Sequence, residues 1–199
     1  MTRFSRRQFI LAAGSLAALS LMACQRGPRF NTTEISDSKM GAALRLTDHN
    51  GQSRTLADFK GKAVVIFFGY TNCPDVCPTS LMMLKEALGE LGTDAARVQV
   101  LFVTVDPARD TPQQLAMYMK AFDPGFLALT GSDAEIADVA RDFKVFYEKK
   151  GDIASGHYTM DHTAGCYIFG PDGRIRLFAR HGETASRVAA DLKLLLSGQ

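Results

Sequence analysis

The hydrophobic positions of this chain change their period several times, and each change predicts an element. Ala63-Val64-Val65-Ile66-Phe67-Phe68-Gly69 is unbroken, rich in β-branched and aromatic residues, and bounded by glycines. Such a run predicts a strand covered on both faces. Val98 to Val105 predicts a second. Between them Leu81, Leu84, Leu88 and Leu91 recur at three and four residues, a helix from about Pro78 to Leu91 with one apolar stripe. Thr111-Pro112 is an N-cap followed by proline at the first helical position, opening a helix to about Phe122. Phe126 to Leu129 predicts a short strand, and Asp133 to Phe143 a helix capped by Ser132 or Asp133.

Elsewhere the pattern is that of paired strands. Leu44 and Leu46, the Asn50-Gly51 turn, then Thr55 and Leu56 predict a hairpin ahead of the first long strand. Val145 to Tyr158 predicts an irregular hairpin containing Gly151 and Gly156. Ala164 to Phe169 and Ile175 to Phe178 flank a Pro171-Asp172-Gly173 turn, and Glu183 to Leu196 closes with a helix. Strand-helix-strand-helix followed by a strand pair and a helix gives three layers around a mixed sheet. That order is the one of a thioredoxin-like α/β fold with an extra N-terminal hairpin and a central hairpin insertion.

The N-terminus has a different character. Arg3, Arg6 and Arg7 precede an apolar run from Phe9 to Ala23 that contains no acid. The run is shorter than the ~20 apolar residues of a spanning helix and ends in small residues, the pattern of a secretory signal over residues 1–23. Ser5-Arg6-Arg7-Gln8-Phe9-Ile10 resembles a twin-arginine export signal, and Leu21-Met22-Ala23-Cys24 resembles a bacterial lipobox with Cys24 as the lipidated residue. An uncleaved anchor helix with an incidental Cys24 is the alternative. Either way the bulk of the chain is expected outside the cytoplasm and tethered to a membrane; the signal reading makes it a lipoprotein of the bacterial periplasm. Residues 24–40 are polar and predict a tether, and 41–199 a single folded domain.

Composition sharpens this division. The 199 residues are 46% hydrophobic and 22% charged, which excludes disordered and low-complexity classes. The formal charge is +2, and cleavage before Cys24 removes three arginines and no acid, leaving −1. Without a basic run elsewhere, nucleic-acid binding is excluded. Of four cysteines, Cys24 is consumed by the anchor, leaving Cys73, Cys77 and Cys166, an odd number.

The candidate chemistry lies where the first long strand ends. Gly69-Tyr70-Thr71-Asn72-Cys73-Pro74-Asp75-Val76-Cys77-Pro78 puts two thiols in a loop just ahead of a helix. Unpaired amides and the helix dipole there favour thiolates, which attack disulfides and bind soft metals. Three residues separate the pair. In regular helix an i,i+4 pair has Cβ atoms ~5–6 Å apart, whereas a disulfide needs ~3.5–4.5 Å. The spacing leans toward a metal and leaves redox chemistry open.

Three blocks then resemble one known family. The thiol loop, Val105-Asp106-Pro107-Ala108-Arg109-Asp110-Thr111-Pro112, and Asp161-His162-Thr163 are similar, in this order, to the signature segments of the SCO1/SenC proteins. The resemblance spans about residues 40 to 197. It implies a membrane-tethered, thioredoxin-like copper protein associated with the CuA centre of cytochrome c oxidase, with Cys73, Cys77 and His162 as copper ligands. Two thiolates suit Cu(I) and an imidazole suits either oxidation state, so the donor set accommodates both Cu(I) and Cu(II). His162-Thr163 precedes the Ala164 strand, about where the reductases of this fold carry a cis-proline. Asp161 is a candidate to orient His162, Asp75 to tune charge, and Asp106 and Arg109 to lie beside the metal or to be loop structure.

Other candidates are weaker. His157 is an alternative ligand or surface decoration, and His49 and His181 are expected to be solvated. Cys166 lies ~13 Å along a strand from His162, a structural thiol. Met82, Met83, Met117 and Met119 fall in helices, where packing is the default. Three functions follow. The first is a copper-binding accessory protein, not an enzyme in the turnover sense, that takes copper from an upstream donor and delivers it to the CuA subunit. The second is a thiol–disulfide reductase, with Cys73 and Cys77 as its redox pair, that keeps the CuA-site cysteines reduced. The third is a peroxiredoxin-like peroxidase. It rests on Val76-Cys77-Pro78-Thr79, and the chain departs from that motif at Tyr70 and Pro74.

Overall fold

The computed structural model describes residues 29–198; the expected signal and the Cys24 lipobox lie outside them. The main sheet has eight strands in the order β1-β10-β9-β4-β5-β6-β2-β3. Its centre is β4 (Ala63–Gly69), parallel to β5 (Val98–Thr104) and antiparallel to β9 (Gly165–Phe169). β6 (Leu127–Thr130) continues the parallel part, and β10 (Ile175–Arg180) pairs antiparallel with β9. The early hairpin, β2 (Arg45–Asp48) and β3 (Ser53–Thr55), closes the edge beyond β6.

Every residue of β4 is buried, and alternate side chains serve different layers. Phe67 stacks against Phe102, which meets Tyr118 of helix α2 (Pro112–Phe122). Phe68, pointing the other way, meets Phe143 at the end of α3 (Asp133–Asp142). The unbroken apolar run is therefore the signature of a strand with cover on both faces. Thr111 and Ser132 cap α2 and α3 by accepting the backbone N–H of Gln114 and Glu135, as their positions ahead of each helix imply. Helix α1 (Val76–Leu91) follows β4, and α4 (Ala185–Leu196) packs on it. The expected mixed α/β three-layer arrangement is present, and among the described residues no helix is long and apolar enough to cross a membrane.

Two boundaries differ from expectation. Residues 31–35, expected within the tether, are pinned to the domain. Thr33–Glu34 form β1 on the edge of β10, and buried Asp191 accepts the backbone N–H groups of Asn31 and Thr32, the Asn31 amide and the Thr32 hydroxyl. Two apolar-poor residues carry no strand period; the pairing comes from a carboxylate 160 positions away. The second difference matters more. The central hairpin runs past Tyr158: β7 (Tyr147–Asp152) pairs with β8 (His157–His162), in a two-stranded sheet of its own. His162 is thus the last residue of a strand, not part of the connection into β9.

Candidate metal centre

The two thiols are placed by local sequence. β4 ends on Gly69, where a side chain would collide with Cys77: a Cβ would come within 2.8 Å of both Cys77 Sγ and the Phe102 ring. The chain then turns through Tyr70–Asp75 into α1. Asp75 is the N-cap residue, yet its side chain accepts nothing at the cap. Cys73 Sγ does so instead, accepting the Cys77 backbone N–H at 3.4 Å. Cys73 is half-buried, while Cys77, on the inner face of the first helical turn, is 0% exposed.

His162 arrives from far along the chain, where β8 ends. Its Nε2 lies 3.5 Å from Cys77 Sγ. Its Nδ1 is 3.1 Å from the Thr163 carbonyl oxygen, which assigns the proton to Nδ1 and leaves the Nε2 lone pair facing the sulfurs. The ring stands edge-on between Phe67 and Tyr70, with centroids 6.1 and 5.9 Å away. Cys73, Cys77 and His162 form a group whose ligating atoms lie within 4.8 Å of one another. Ligand bonds of about 2.0–2.3 Å to a central ion join atoms up to about 4.6 Å apart, so a contraction of a few tenths of an ångström closes the group on an ion. Two sulfurs and an imidazole nitrogen suit a soft or borderline metal.

The local electrostatics split the thiols. The hydrogen bond from the Cys77 thiol, with help from the Asp75 and Cys77 amides, holds Cys73 down at about 3 against its burial. That same hydrogen bond, together with burial, pushes Cys77 well above the usual thiol range. The helix start was expected to favour both thiolates; one is favoured, because the buried Cys77 thiol keeps its proton and donates it in a hydrogen bond to Cys73. A cleft of about 360 Å³ opens on Cys73 and His162 between Tyr70, Pro74, Val76 and Met160. A larger cleft, of about 850 Å³, lies elsewhere, by Met40, Leu56 and Gly173, and is lined by no thiol or imidazole.

The remaining candidates resolve as follows. Asp161 lines the cleft but is exposed, opposite Glu148, and it is the Thr163 carbonyl that holds His162. Asp75 is exposed on the cleft rim. Asp106 is 1% exposed and reaches neither sulfur nor imidazole; it accepts Arg109 Nε and the Tyr158 hydroxyl. His157 sits at the far end of β8, hydrogen-bonded to Ser155. His49 Nδ1 accepts the Ala128 amide, and His181 contacts Ser80 Oγ at 3.3 Å, so both have protein partners. Cys166 is buried in the core, as expected. Packing accounts for Met119 but not for Met117 and Met82, which are 67% and 43% exposed.

Two contributors were missed from sequence: Thr163, through its carbonyl, and Tyr158, three positions before Asp161. Alternation along 157–162 was the available signal for the second, since it places Tyr158, Met160 and His162 on one side of a strand.

The SCO1/SenC family model matches residues 32–197. The chain is 37% identical over 173 residues to the mitochondrial SCO2 homologue of Bos taurus, covering 85% of this chain and 65% of that protein. It is 35% identical over 165 residues to the human mitochondrial SCO1 homologue, covering 80% of this chain and 55% of that protein. The chain thus spans 55–65% of the length of these mitochondrial relatives. Among solved structures it is similar to ScoI of Bradyrhizobium japonicum with copper bound, at 46% identity and a TM-score of 0.69 over 75% of this chain and 94% of that one.

Proposed function

Because the chain belongs to the SCO1/SenC family, we propose that it is a copper-binding accessory protein, held outside the cytoplasm by a lipid on Cys24, that delivers copper to the CuA subunit of cytochrome c oxidase. Copper is its cargo, and Cys73, Cys77 and His162 are the ligands. The observation that carries this reading is the convergence of those three soft donors within 4.8 Å across 85 residues of chain. The copper-bound relative supports the choice of metal.

The geometry supports an order of release. An incoming acceptor thiolate enters through the cleft, where Cys73 and His162 are reachable. Cys77, fully buried beneath the first turn of α1, is displaced last. Stepwise exchange never leaves the ion without ligands, which keeps each step shallow. Copper titration followed by absorption and paramagnetic resonance tests the reading. One equivalent bound, lost in Cys73→Ala and Cys77→Ala and weakened in His162→Ala, is expected; binding unchanged in all three overturns it. Transfer of copper from the loaded protein to a purified CuA domain tests delivery, and mass spectrometry of the mature N-terminus tests acylation of Cys24.

One observation favours a reductase role as a second reading. A half-buried thiolate facing a cleft and hydrogen-bonded to a buried, protonated partner is the arrangement of an attacking and a resolving cysteine. Reduction of a CuA-domain disulfide by the metal-free protein, abolished in Cys73→Ser, distinguishes it. The peroxidase reading needs Cys77 as an accessible thiolate, and Cys77 is buried with its thiol pushed upward.

A further inference from the structure

The two halves of the donor set hang on different parts of the fold. Cys73 and Cys77 sit where β4 passes into α1, inside the core. His162 ends a hairpin that forms its own two-stranded sheet, so no ladder hydrogen bond to the main sheet fixes the imidazole against the thiols.

One tight turn touches both halves. It runs from Asp106 to Asp110, closed by the Arg109 and Asp110 amides donating to the Asp106 carbonyl at 3.1 and 3.0 Å. At its start, the buried Asp106 carboxylate accepts Arg109 Nε on one oxygen and the Tyr158 hydroxyl, at 2.8 Å, on the other. Arg109 Nη1 donates to the Tyr158 backbone carbonyl at 2.9 Å, and its guanidinium lies 3.6 Å from the centre of the Tyr158 ring. Tyr158 is four residues before His162 on the same strand. At the end of the turn, Asp110 accepts the Thr104 hydroxyl of β5 and the Thr71 hydroxyl, both at 2.6 Å, and the Thr71 amide. Thr71 is two residues ahead of Cys73.

We propose that the Asp106–Asp110 turn is a bracket that sets the distance between the thiol pair and the imidazole, with Arg109 as the positioning residue for His162. The inference rests on the three-ligand reading above. Its physical basis is the cost of ordering a ligand at the moment of binding. Strands β7 and β8 are largely exposed, with Met160 their one buried residue. Without the guanidinium, the hairpin has few contacts to hold its end, and copper must immobilise His162 itself. Arg109 makes three directional contacts from one planar group, which a lysine ammonium does not reproduce.

The test compares Arg109→Ala and Tyr158→Phe, each alone and combined with His162→Ala. Three readouts apply: Cu(II) affinity, nitrogen hyperfine coupling in paramagnetic resonance, and amide hydrogen exchange of the metal-free protein. Arg109→Ala is expected to weaken copper binding about tenfold or more, with weakened nitrogen coupling. Amides of residues 147–162 are expected to exchange faster while those of β4 and β5 do not. In the His162→Ala background the same substitution is expected to add nothing. Tyr158→Phe, which keeps the ring and removes one hydrogen bond, gives the same pattern at smaller size and serves, with Arg109→Lys, should Arg109→Ala not fold. Equal weakening with and without His162, or unchanged hairpin exchange, overturns the bracket. If His162→Ala alone leaves binding unchanged, the ligand reading fails instead, and exchange in the metal-free protein then decides the bracket by itself.

Discussion

The strand–helix junction at 69–78 and the hairpin at 147–162 each supply part of one site, and they are built on opposite principles. Behind the junction stands β4, all seven residues buried and paired on both sides. The hairpin has two strands, no further pairing, and one buried side chain, Met160 at 5% exposure. The thiols inherit the rigidity of the core; the imidazole is brought to them by an exposed element held through Arg109, Tyr158 and the Thr163–Phe146 hydrogen bonds. The proposed handling of copper as cargo gains from this division, since the two thiols stand on the buried core and the imidazole on an exposed element.

The comparison breaks most visibly if both regions respond alike to a cavity. Phe67→Ala removes a fully buried ring that also walls the His162 imidazole, and is expected to cost about 3–5 kcal/mol in denaturant unfolding. Met160→Ala is expected to cost about 2 kcal/mol, at the low end for such a truncation. Its hydrogen exchange should rise in the hairpin and not in β5; a global loss equal to that of Phe67→Ala would show that the hairpin is part of the core after all. Gly69→Ala forces a Cβ against Cys77 Sγ and Phe102 and is expected to cost about 1–3 kcal/mol. It should also weaken copper binding, whereas alanine at solvent-open Gly156 costs about 1 kcal/mol through its left-handed backbone (φ 79°) and leaves copper binding unchanged.

Two titrations sharpen the contrast further. Cys166 is buried in the core, and burial pushes its thiol up to about 12. A folded value raised above the ordinary 9.0 means the neutral thiol's contribution is complete below pH 9 and is lost as pH rises toward 12. Unfolding measured across that window should fall less steeply in Cys166→Ala than in the parent. Cys73 faces the cleft and is held at about 3, so its thiolate fraction is saturated throughout the neutral range. Its alkylation by iodoacetamide in the metal-free protein is expected to be nearly flat from about pH 5 to 8, with Cys77 unmodified. A rate that climbs tenfold per pH unit there shows that the Cys77 hydrogen bond does not hold the thiolate.

Much of this was legible in the chain because much of it is local. Period and capping act within a few residues. The run 63–69, the leucine spacing of α1 and the Thr111 and Ser132 caps therefore gave their elements close to where they lie. The thiol pair is equally local, four residues across one turn, and its chemistry follows from residue type. What stayed hidden depends on partners distant in sequence. β1 is two residues that become a strand only because Asp191 and β10 receive them. The opposite shifts of Cys73 and Cys77 come from the hydrogen bond between the two thiols and from the deeper burial of Cys77, a matter of depth that spacing does not encode. The reach of His162 to Cys77, which only the family resemblance anticipated, its orientation by Thr163 rather than Asp161, and the grip of Arg109 on Tyr158 all join segments about 50 to 85 positions apart or turn on strand facing. By itself the sequence determined which donors the protein owns and which elements carry them. Tertiary packing alone decided that the donors meet, because register and side-chain clamps across the fold leave no local period to read.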